Sequence, residues 1–151
     1  MIYKKGNLFN NVSSGVIAHG ANSHGVMGSG FALGIKNKYP ECFKKYVLDI
    51  GKYGMTTGDN SIYTHSESLV IYNCITQENY GRDGVRYVSY DAIDSCFSAM
   101  FQTINGSNCN LNIPLIGAGL GGGLWPIIES IIDSNAKEYG FDPDKIICWK
   151  L

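Results

Sequence analysis

The sequence lacks paired cysteines, long apolar runs and an excess of charge of one sign. Its five cysteines are an odd number with no C-x-x-C spacing, which disfavours a disulfide framework or a structural zinc site. No apolar run approaches the roughly 18 residues of a membrane span, and no apolar stretch of a signal peptide follows the first lysines. The net charge of −1 gives no electrostatic reason to bind nucleic acid or an anionic membrane. We therefore expect a cytoplasmic protein without a membrane partner.

Proline and charged residues are also few, with 4 prolines and 17% charged residues against 44% apolar ones. This composition is typical of a globular protein rather than a disordered one. A chain of 151 residues has the size of one domain and buries roughly 70% of its unfolded surface on folding. We expect a single domain over residues 1–151 that is monomeric and needs no metal or cofactor.

Strands and helices are predicted to alternate along the chain. This order favours an α/β fold with a mainly parallel sheet covered on both faces. Ser89 is a candidate N-cap for one helix, and Gly51 and Gly54 are expected to end another. The predicted strands are 1–3, 16–19, 61–65, 69–76, 112–116 and 145–151. The predicted helices are 31–38, 40–50, 89–104 and 125–139, the last burying Ile127, Ile128, Ile131, Ile132 and Ala136.

Glycine is abundant, with 19 residues, and it clusters after two predicted strands, in residues 22–32 and 117–123. Ligands of open α/β sheets bind beyond the carboxyl ends of the strands. Glycine permits positive φ and close approach of the backbone to a ligand, and successive N–H groups at a helix start bind anions. Two facing loops of this kind suit a diphosphate. The alternative is that these glycines only make tight turns.

Neither loop matches a nucleotide-triphosphate or dinucleotide motif well. No lysine follows the first loop to reach a γ-phosphate, which disfavours triphosphate hydrolysis. The second loop contains G-x-G-x-x-G in letters, at Gly117, Gly119 and Gly122. It lies too near the end of the sequence for the rest of a dinucleotide-binding half to follow.

Several segments in chain order together resemble macrodomains. They are residues 6–9, 17–22, 25–32 and 114–125, and residues 149–151 are also similar. The likeness extends over nearly the whole chain, and it is greatest to a compact subgroup of ADP-ribose-1″-phosphate phosphatases, terminal ADP-ribose glycohydrolases and DNA-ADP-ribosylation antitoxins. The resemblance implies a three-layer α/β/α macrodomain fold with a mostly parallel central sheet and ADP-ribose in a cleft above it.

The resemblance also implies which residues contact each part of ADP-ribose. Gly6, Asn7 and Leu8 would lie by the adenine, with Trp149 and Leu151 of the chain end nearby. Asn7 stands where family members often have aspartate, and its amide oxygen can still accept a hydrogen bond from the adenine amino group. Residues 22–32 would hold the distal ribose and one phosphate, and residues 117–122 the other phosphate. The further ligand-binding residues are Ala18, His24, Val26, Met27, Gly28, Ser29, Gly30, Phe31, Ala32, Gln77, Pro114, Ile116, Gly117, Ala118, Gly119, Leu120, Gly121 and Gly122.

Two residues are candidates for catalysis. His19, at the end of the predicted strand 16–19, can serve as a general acid or base, or be a structural hydrogen-bonded group. Asn22 is expected to bind the ribose hydroxyls or hold the reacting water. Glycohydrolases and antitoxins of the subgroup use a lysine where Gln77 stands, and the glycohydrolase has an aspartate where Gly121 stands. The covalent lysine route therefore has no nucleophile here.

The leading hypothesis is hydrolysis of ADP-ribose-1″-phosphate to ADP-ribose and phosphate, in which water attacks while the loops hold the diphosphate. Tyr80 and Arg82, in the polar segment 77–84, are candidates to bind the 1″-phosphate, because an arginine fork pairs well with phosphate. The alternative for that segment is an exposed loop without a role. The alternatives for function are a non-catalytic ADP-ribose reader and a mono-ADP-ribosyl hydrolase that lacks the lysine nucleophile.

Overall fold

The computed structural model describes residues 1–151 and contains one six-stranded sheet. The order across the sheet is β1-β6-β5-β2-β4-β3, and every neighbouring pair is parallel except β3 with β4. The predicted, mostly parallel sheet is therefore confirmed. The strands are β1 (Ile2–Lys5), β2 (Gly15–Asn22), β3 (Asn60–Thr64), β4 (Leu69–Gln77), β5 (Leu111–Ile113) and β6 (Ile146–Lys150).

Helices cover both faces of this sheet, as the three-layer prediction requires. One hydrophobic core joins α4 and α5 to the sheet and includes Phe97, Phe101 and Ile132. The other lies under α1, α2 and α3 and includes Ile35 and Tyr46. None of the helices is long and apolar enough to cross a bilayer. The helices are α1 (Leu8–Asn11), α2 (Gly30–Lys38), α3 (Pro40–Tyr53), α4 (Tyr90–Ile104) and α5 (Trp125–Glu138), with a 3₁₀ turn at Pro143–Lys145.

Local sequence explains where several helices begin and end. The Ser89 hydroxyl accepts a hydrogen bond from the Ala92 N–H at 3.1 Å and caps α4, as predicted. Gly54 ends α3 in the left-handed conformation at φ 60°, which costs glycine little. The expectation that Gly51 also ends α3 is wrong, because it lies within the helix. Ile127 was expected to be buried but is 41% exposed, since it lies on the solvent side of the first turn of α5.

The strand ends differ from the prediction at the edge where a ligand would bind. β2 continues to Asn22, so His19 lies inside the strand rather than at its end. β5 stops at Ile113, because the Ile116 N–H bonds the Pro114 carbonyl at 2.8 Å and turns the chain. The carboxyl ends of β2, β4 and β5 therefore meet at one edge, with a register shift between Ala21 and Asn22.

Candidate ligand-binding site

A cavity of about 610 Å³ lies beyond the carboxyl ends of β2, β4 and β5. Its volume is in the range of about 300–1,000 Å³ found for small-molecule sites. The ends of β2 and β4 and residues 114–116 form its floor. The first glycine-rich loop (residues 22–32) and the second (residues 117–123) form its walls. Residues 80–82 lie at its rim.

The first loop is held by the side chain of Asn22. Its Oδ1 accepts hydrogen bonds from the N–H groups of His24 at 3.0 Å and Val26 at 3.3 Å, and its Nδ2 donates to the Val26 carbonyl at 2.7 Å. The buried Tyr46 hydroxyl of α3 donates to the Asn22 carbonyl at 2.5 Å. Burial raises the pKa of Tyr46 to about 12, so it remains a neutral donor. Asn22 therefore shapes the loop from beneath while also lining the cavity.

The first loop ends at the N-terminus of α2, which points into the cavity. The N–H groups of Gly30, Phe31 and Ala32 begin the helix and have no acceptor within the protein. Gly30 has φ +61°, a conformation that glycine adopts at little cost. Free N–H groups and the helix dipole together favour an anion at this point.

The second loop is held by its own backbone. The Gly123 N–H donates to the Gly117 carbonyl at 2.8 Å, and the Gly122 N–H donates to the Gly119 carbonyl at 3.1 Å. The N–H groups of Gly117, Gly119, Leu120 and Gly121 have no acceptor within the protein, and all four residues line the cavity. Such a concave set of free amides is suited to bind a second anion.

A segment of residues 78–88, here called the strap, crosses from one loop to the other. At its start, His24 Nε2 lies 3.0 Å from Asn79 Oδ1, a hydrogen bond to the first loop. At its end, the N–H groups of Tyr87 and Val88 donate to the Gly121 carbonyl at 2.8 and 3.0 Å. The middle of the strap brings Tyr80, Gly81 and Arg82 to the rim of the cavity.

His19 belongs to a buried polar cluster next to the cavity rather than to its lining. Its ring is 0% exposed, Nε2 lies 2.6 Å from Asn73 Oδ1, and Nδ1 has no partner. The Asn73 Nδ2 donates to Cys42 Sγ at 3.3 Å. Burial lowers the pKa of His19 from 6.5 to about 4, although the hydrogen bond to Asn73 opposes this, so the ring is neutral at pH 7. Its catalytic role stays a prediction, and its burial argues against direct contact with a ligand.

The residues expected around the adenine lie at the carboxyl ends of β1 and β6, outside the cavity. The Gly6 N–H donates to the Lys150 carbonyl at 2.6 Å, and the Trp149 ring packs against Gly6. Asn7 Oδ1 caps α1 by accepting from the Phe9 N–H at 2.9 Å, and it keeps a second lone pair. Phe9 stacks on Phe31 with ring centroids 4.7 Å apart, so α1 adjoins the cavity wall. The adenine contacts stay predictions.

The predicted site residues divide into two groups. Five further lining residues were not predicted, although each directly adjoins a predicted one in sequence: Gly20, Ala21, Thr76, Gly81 and Leu115. Predicted residues that do not line the cavity are Gly6, Asn7, Leu8, Ala18, His19, His24, Ala118, Gly122, Trp149 and Leu151. Predicted residues that do line it are Asn22, Val26, Met27, Gly28, Ser29, Gly30, Phe31, Ala32, Gln77, Tyr80, Arg82, Pro114, Ile116, Gly117, Gly119, Leu120 and Gly121.

Burial and bonding explain why some predicted residues lie outside the lining. Ala18 is 0% exposed and lies beneath the sheet surface in the core. Gly122 turns toward the strap, where an added Cβ would lie 2.9 Å from the Val85 carbonyl oxygen. His24 points to Asn79 instead of the cavity. No group of histidine, cysteine or carboxylate side chains has the arrangement of a metal site.

Comparison with known proteins identifies relatives of this fold. A family model described as the Macro domain matches residues 18–132. An uncharacterized 17.5 kDa protein of Enterobacteria phage T4 is 30% identical over 131 residues, which are 81% of this chain and 80% of the relative. An ADP-ribose 1″-phosphate phosphatase of Candida albicans is 24% identical over 140 residues, which are 86% of this chain and 90% of the relative.

Solved structures share the whole fold. A protein of unknown function from Bacteroides thetaiotaomicron superposes with a TM-score of 0.87 at 26% identity, covering 99% of this chain and 97% of that one. The DarTG protein of Thermosipho africanus, solved in complex with ADP-ribose, superposes with a TM-score of 0.77 at 16% identity, covering 98% of this chain and 41% of that one.

Proposed function

Because the chain belongs to the macrodomain family, we propose that it binds ADP-ribose in the cavity between the two glycine-rich loops. One observation carries this proposal: free backbone N–H groups of both loops line a single cavity. Those of Gly30 and Phe31 belong to the first loop, and those of Gly119 and Leu120 belong to the second. A diphosphate offers one phosphate to each set, and a bound anion would satisfy donors that the protein leaves unpaired.

The second candidate function is hydrolysis of ADP-ribose-1″-phosphate to ADP-ribose and phosphate. The likeness to the Candida albicans phosphatase favours it. The lining contains no carboxylate and no histidine, so catalysis would rely on holding a water in line with the phosphoryl group. Asn22 lines the cavity at the end of β2, but its side chain is bonded to the backbone of the first loop. It would therefore act by shaping that loop, and the neutral, buried His19 would act through the position of its strand.

Removal of ADP-ribose from protein side chains is the third candidate, and the lining gives it less support. Gln77 stands at the end of β4, and its Nε2 donates to the Asn79 carbonyl at 2.8 Å. An amide is not a nucleophile toward C1″. Such a reaction would also need a water held by the ligand.

The direct test is calorimetric titration of the protein with ADP-ribose, with Gly119→Ala as the informative variant. A Cβ at Gly119 meets no protein atom within 4 Å, so alanine adds a methyl group at a residue of the cavity lining without disturbing the fold. We expect wild-type binding in the micromolar range and at least a roughly 10-fold weaker affinity in the variant, or about 1.4 kcal/mol. Gly51→Ala, at an open position of α3 outside the site, is the matched control. Absence of wild-type binding would refute the proposal.

A phosphate-release assay on ADP-ribose-1″-phosphate then separates the hydrolase from the reader. Release of phosphate by the wild type that is reduced in Gly119→Ala, but not in Gly51→Ala, supports a phosphatase that uses this cavity. Binding without release in the wild type leaves the non-catalytic reader and the hydrolase of a different ADP-ribose linkage.

A further inference from the structure

We propose that Arg82 selects ligands that carry a second anionic group, a phosphate, on the distal ribose of ADP-ribose. This inference rests on the proposed binding of ADP-ribose, but it concerns which ADP-ribose derivative the cavity prefers, whether or not the protein hydrolyses it. Arg82 is then a specificity-determining residue.

Arg82 is the only charged side chain that lines the cavity. It has no hydrogen bond, no salt bridge and no aromatic ring beneath it within the protein. The other arginine of the strap, Arg86, has its guanidinium 4.6 Å from the centre of the Tyr90 ring. An arginine without an internal partner at the rim of a cavity is available to a ligand.

The neighbouring carboxylate does not neutralise Arg82. Both oxygens of Asp83 accept a hydrogen bond from the Tyr87 hydroxyl, at 2.8 and 2.9 Å, and Oδ1 also accepts from the Val85 N–H at 3.2 Å. These bonds hold the pKa of Asp83 below its usual value. The carboxylate is therefore ionised and bonded to Tyr87 and Val85, and it forms no salt bridge with Arg82.

Contacts on both sides fix the strap that carries Arg82. The first loop binds its start through His24 with Asn79 and through the Ser23 hydroxyl, which donates to the Glu78 carbonyl at 3.4 Å. The second loop binds its end through the Gly121 carbonyl. Arg82 lies between these attachments, so its position depends on the same loops that form the cavity.

Charge balance indicates what Arg82 binds. The free N–H groups of the two loops suffice for the two phosphates of ADP-ribose, so the arginine remains for a further anion. The segment before Arg82 is bonded to the first loop, which the family resemblance assigns to the distal ribose. A phosphate on that ribose meets the planar fork of the guanidinium, which pairs with two phosphate oxygens at once.

The test compares the affinities of two ligands for three proteins. The wild type, Arg82→Gln and Arg86→Gln are each mixed rapidly with ADP-ribose or with ADP-ribose-1″-phosphate. Binding is followed by protein fluorescence and is read before any product forms. We expect the wild type to prefer the phosphorylated ligand about 10-fold or more, as a charged hydrogen bond contributes. We expect Arg82→Gln to reduce this preference to about threefold or less with ADP-ribose affinity little changed. Arg86 does not line the cavity, so we expect Arg86→Gln to keep the wild-type preference for the phosphorylated ligand.

Three outcomes would overturn the inference. If Arg82→Gln weakens both ligands equally, the arginine contacts the diphosphate. If the preference survives in Arg82→Gln, or the wild type has none, Arg82 selects nothing. A wild type that binds neither ligand instead refutes the proposed function. A preference that falls as salt is raised from about 50 to 300 mM further supports the exposed ionic contact.

Discussion

The two glycine-rich loops of the cavity are held in place by different means. Side chains hold the first loop, since Asn22 makes four hydrogen bonds or close contacts with its backbone and with Tyr46. Backbone groups hold the second loop, through the carbonyls of Gly117 and Gly121. The conformation of the first loop therefore depends on side-chain hydrogen-bond donors and acceptors. The conformation of the second loop depends on glycines, because a Cβ atom would clash there. Similar sets of free N–H groups can thus arise from opposite requirements on the sequence.

The layers next to the two loops differ in the same way. Next to the first loop lies the buried polar cluster of His19, Asn73 and Cys42. Next to the second, Ile116 and Ile128 belong to a wholly apolar core. Burial lowers the pKa of His19 on the first side to about 4, so acid should weaken that side.

The largest expected effect is a loss of stability in acid caused by His19. Its native pKa is about 4, below the value of about 6.5 in the unfolded chain. The contribution of His19 to the free energy of unfolding is fully present above pH 6.5 and is lost as the pH falls toward 4. Between these values the unfolded chain binds a proton at His19 and the native protein does not, so acid favours unfolding. The loss amounts to about 3 kcal/mol. Urea unfolding at pH 7 and pH 4 should show this difference between wild type and His19→Gln, whose side chain does not titrate.

The exposed His65 supplies the control for that experiment. His65→Gln removes an exposed imidazole instead of a buried one, so the two variants separate the effect of burial from the loss of a histidine. An equal fall in stability for wild type and His19→Gln would show that the buried imidazole does not destabilise the fold in acid. The layers next to the first and second loops would then not differ in their sensitivity to acid.

The next effect tests the second loop. Gly122 has φ +72°, and an added Cβ would lie 2.9 Å from the Val85 carbonyl oxygen and 3.0 Å from the Arg86 Cα. Gly122→Ala should cost about 2–3 kcal/mol of unfolding free energy, from the left-handed backbone and the contact with the strap. Gly119→Ala, with open space around the Cβ, should change it by less than about 0.5 kcal/mol. Equal effects in urea unfolding would mean that missing Cβ atoms do not hold this loop.

A smaller effect tests the first loop. Tyr46→Phe removes the hydroxyl that donates to the Asn22 carbonyl at 2.5 Å and lies 3.1 Å from its Oδ1. We expect a loss of about 1–2 kcal/mol, because the buried Asn22 carbonyl loses its side-chain donor. Tyr53→Phe, on the exposed end of the same helix, should have almost no effect. Unchanged stability in Tyr46→Phe would mean that α3 does not anchor the loop.

Local patterns in the sequence were enough to predict the sheet, the large helices and both loops. The cap at Ser89 and the glycines after β2 and β5 act on residues close to them in the chain. Their effects can therefore be predicted from short stretches of sequence. The contact of Tyr46 with Asn22 joins residues 24 positions apart, and nothing in the local pattern marks that tyrosine. The strap posed the same difficulty, since its bonds to Gly121 depend on how two distant segments meet. His19 was misplaced because a run of apolar residues does not show where a strand ends.

The smallest expected effect concerns Thr76, which lies on the cavity floor between the two loops. Its hydroxyl is buried and has no hydrogen-bond partner, and Gly20 is the residue whose missing Cβ leaves it room, at 2.9 Å. Thr76→Val keeps the shape and removes an unsatisfied polar group, so it should raise the unfolding free energy by about 1 kcal/mol. Because Thr76 is 0% exposed, ADP-ribose affinity should stay within about twofold of the wild type. A marked loss of affinity that Thr76→Ser restores would show instead that the floor, and not only the two loops, contacts the ligand.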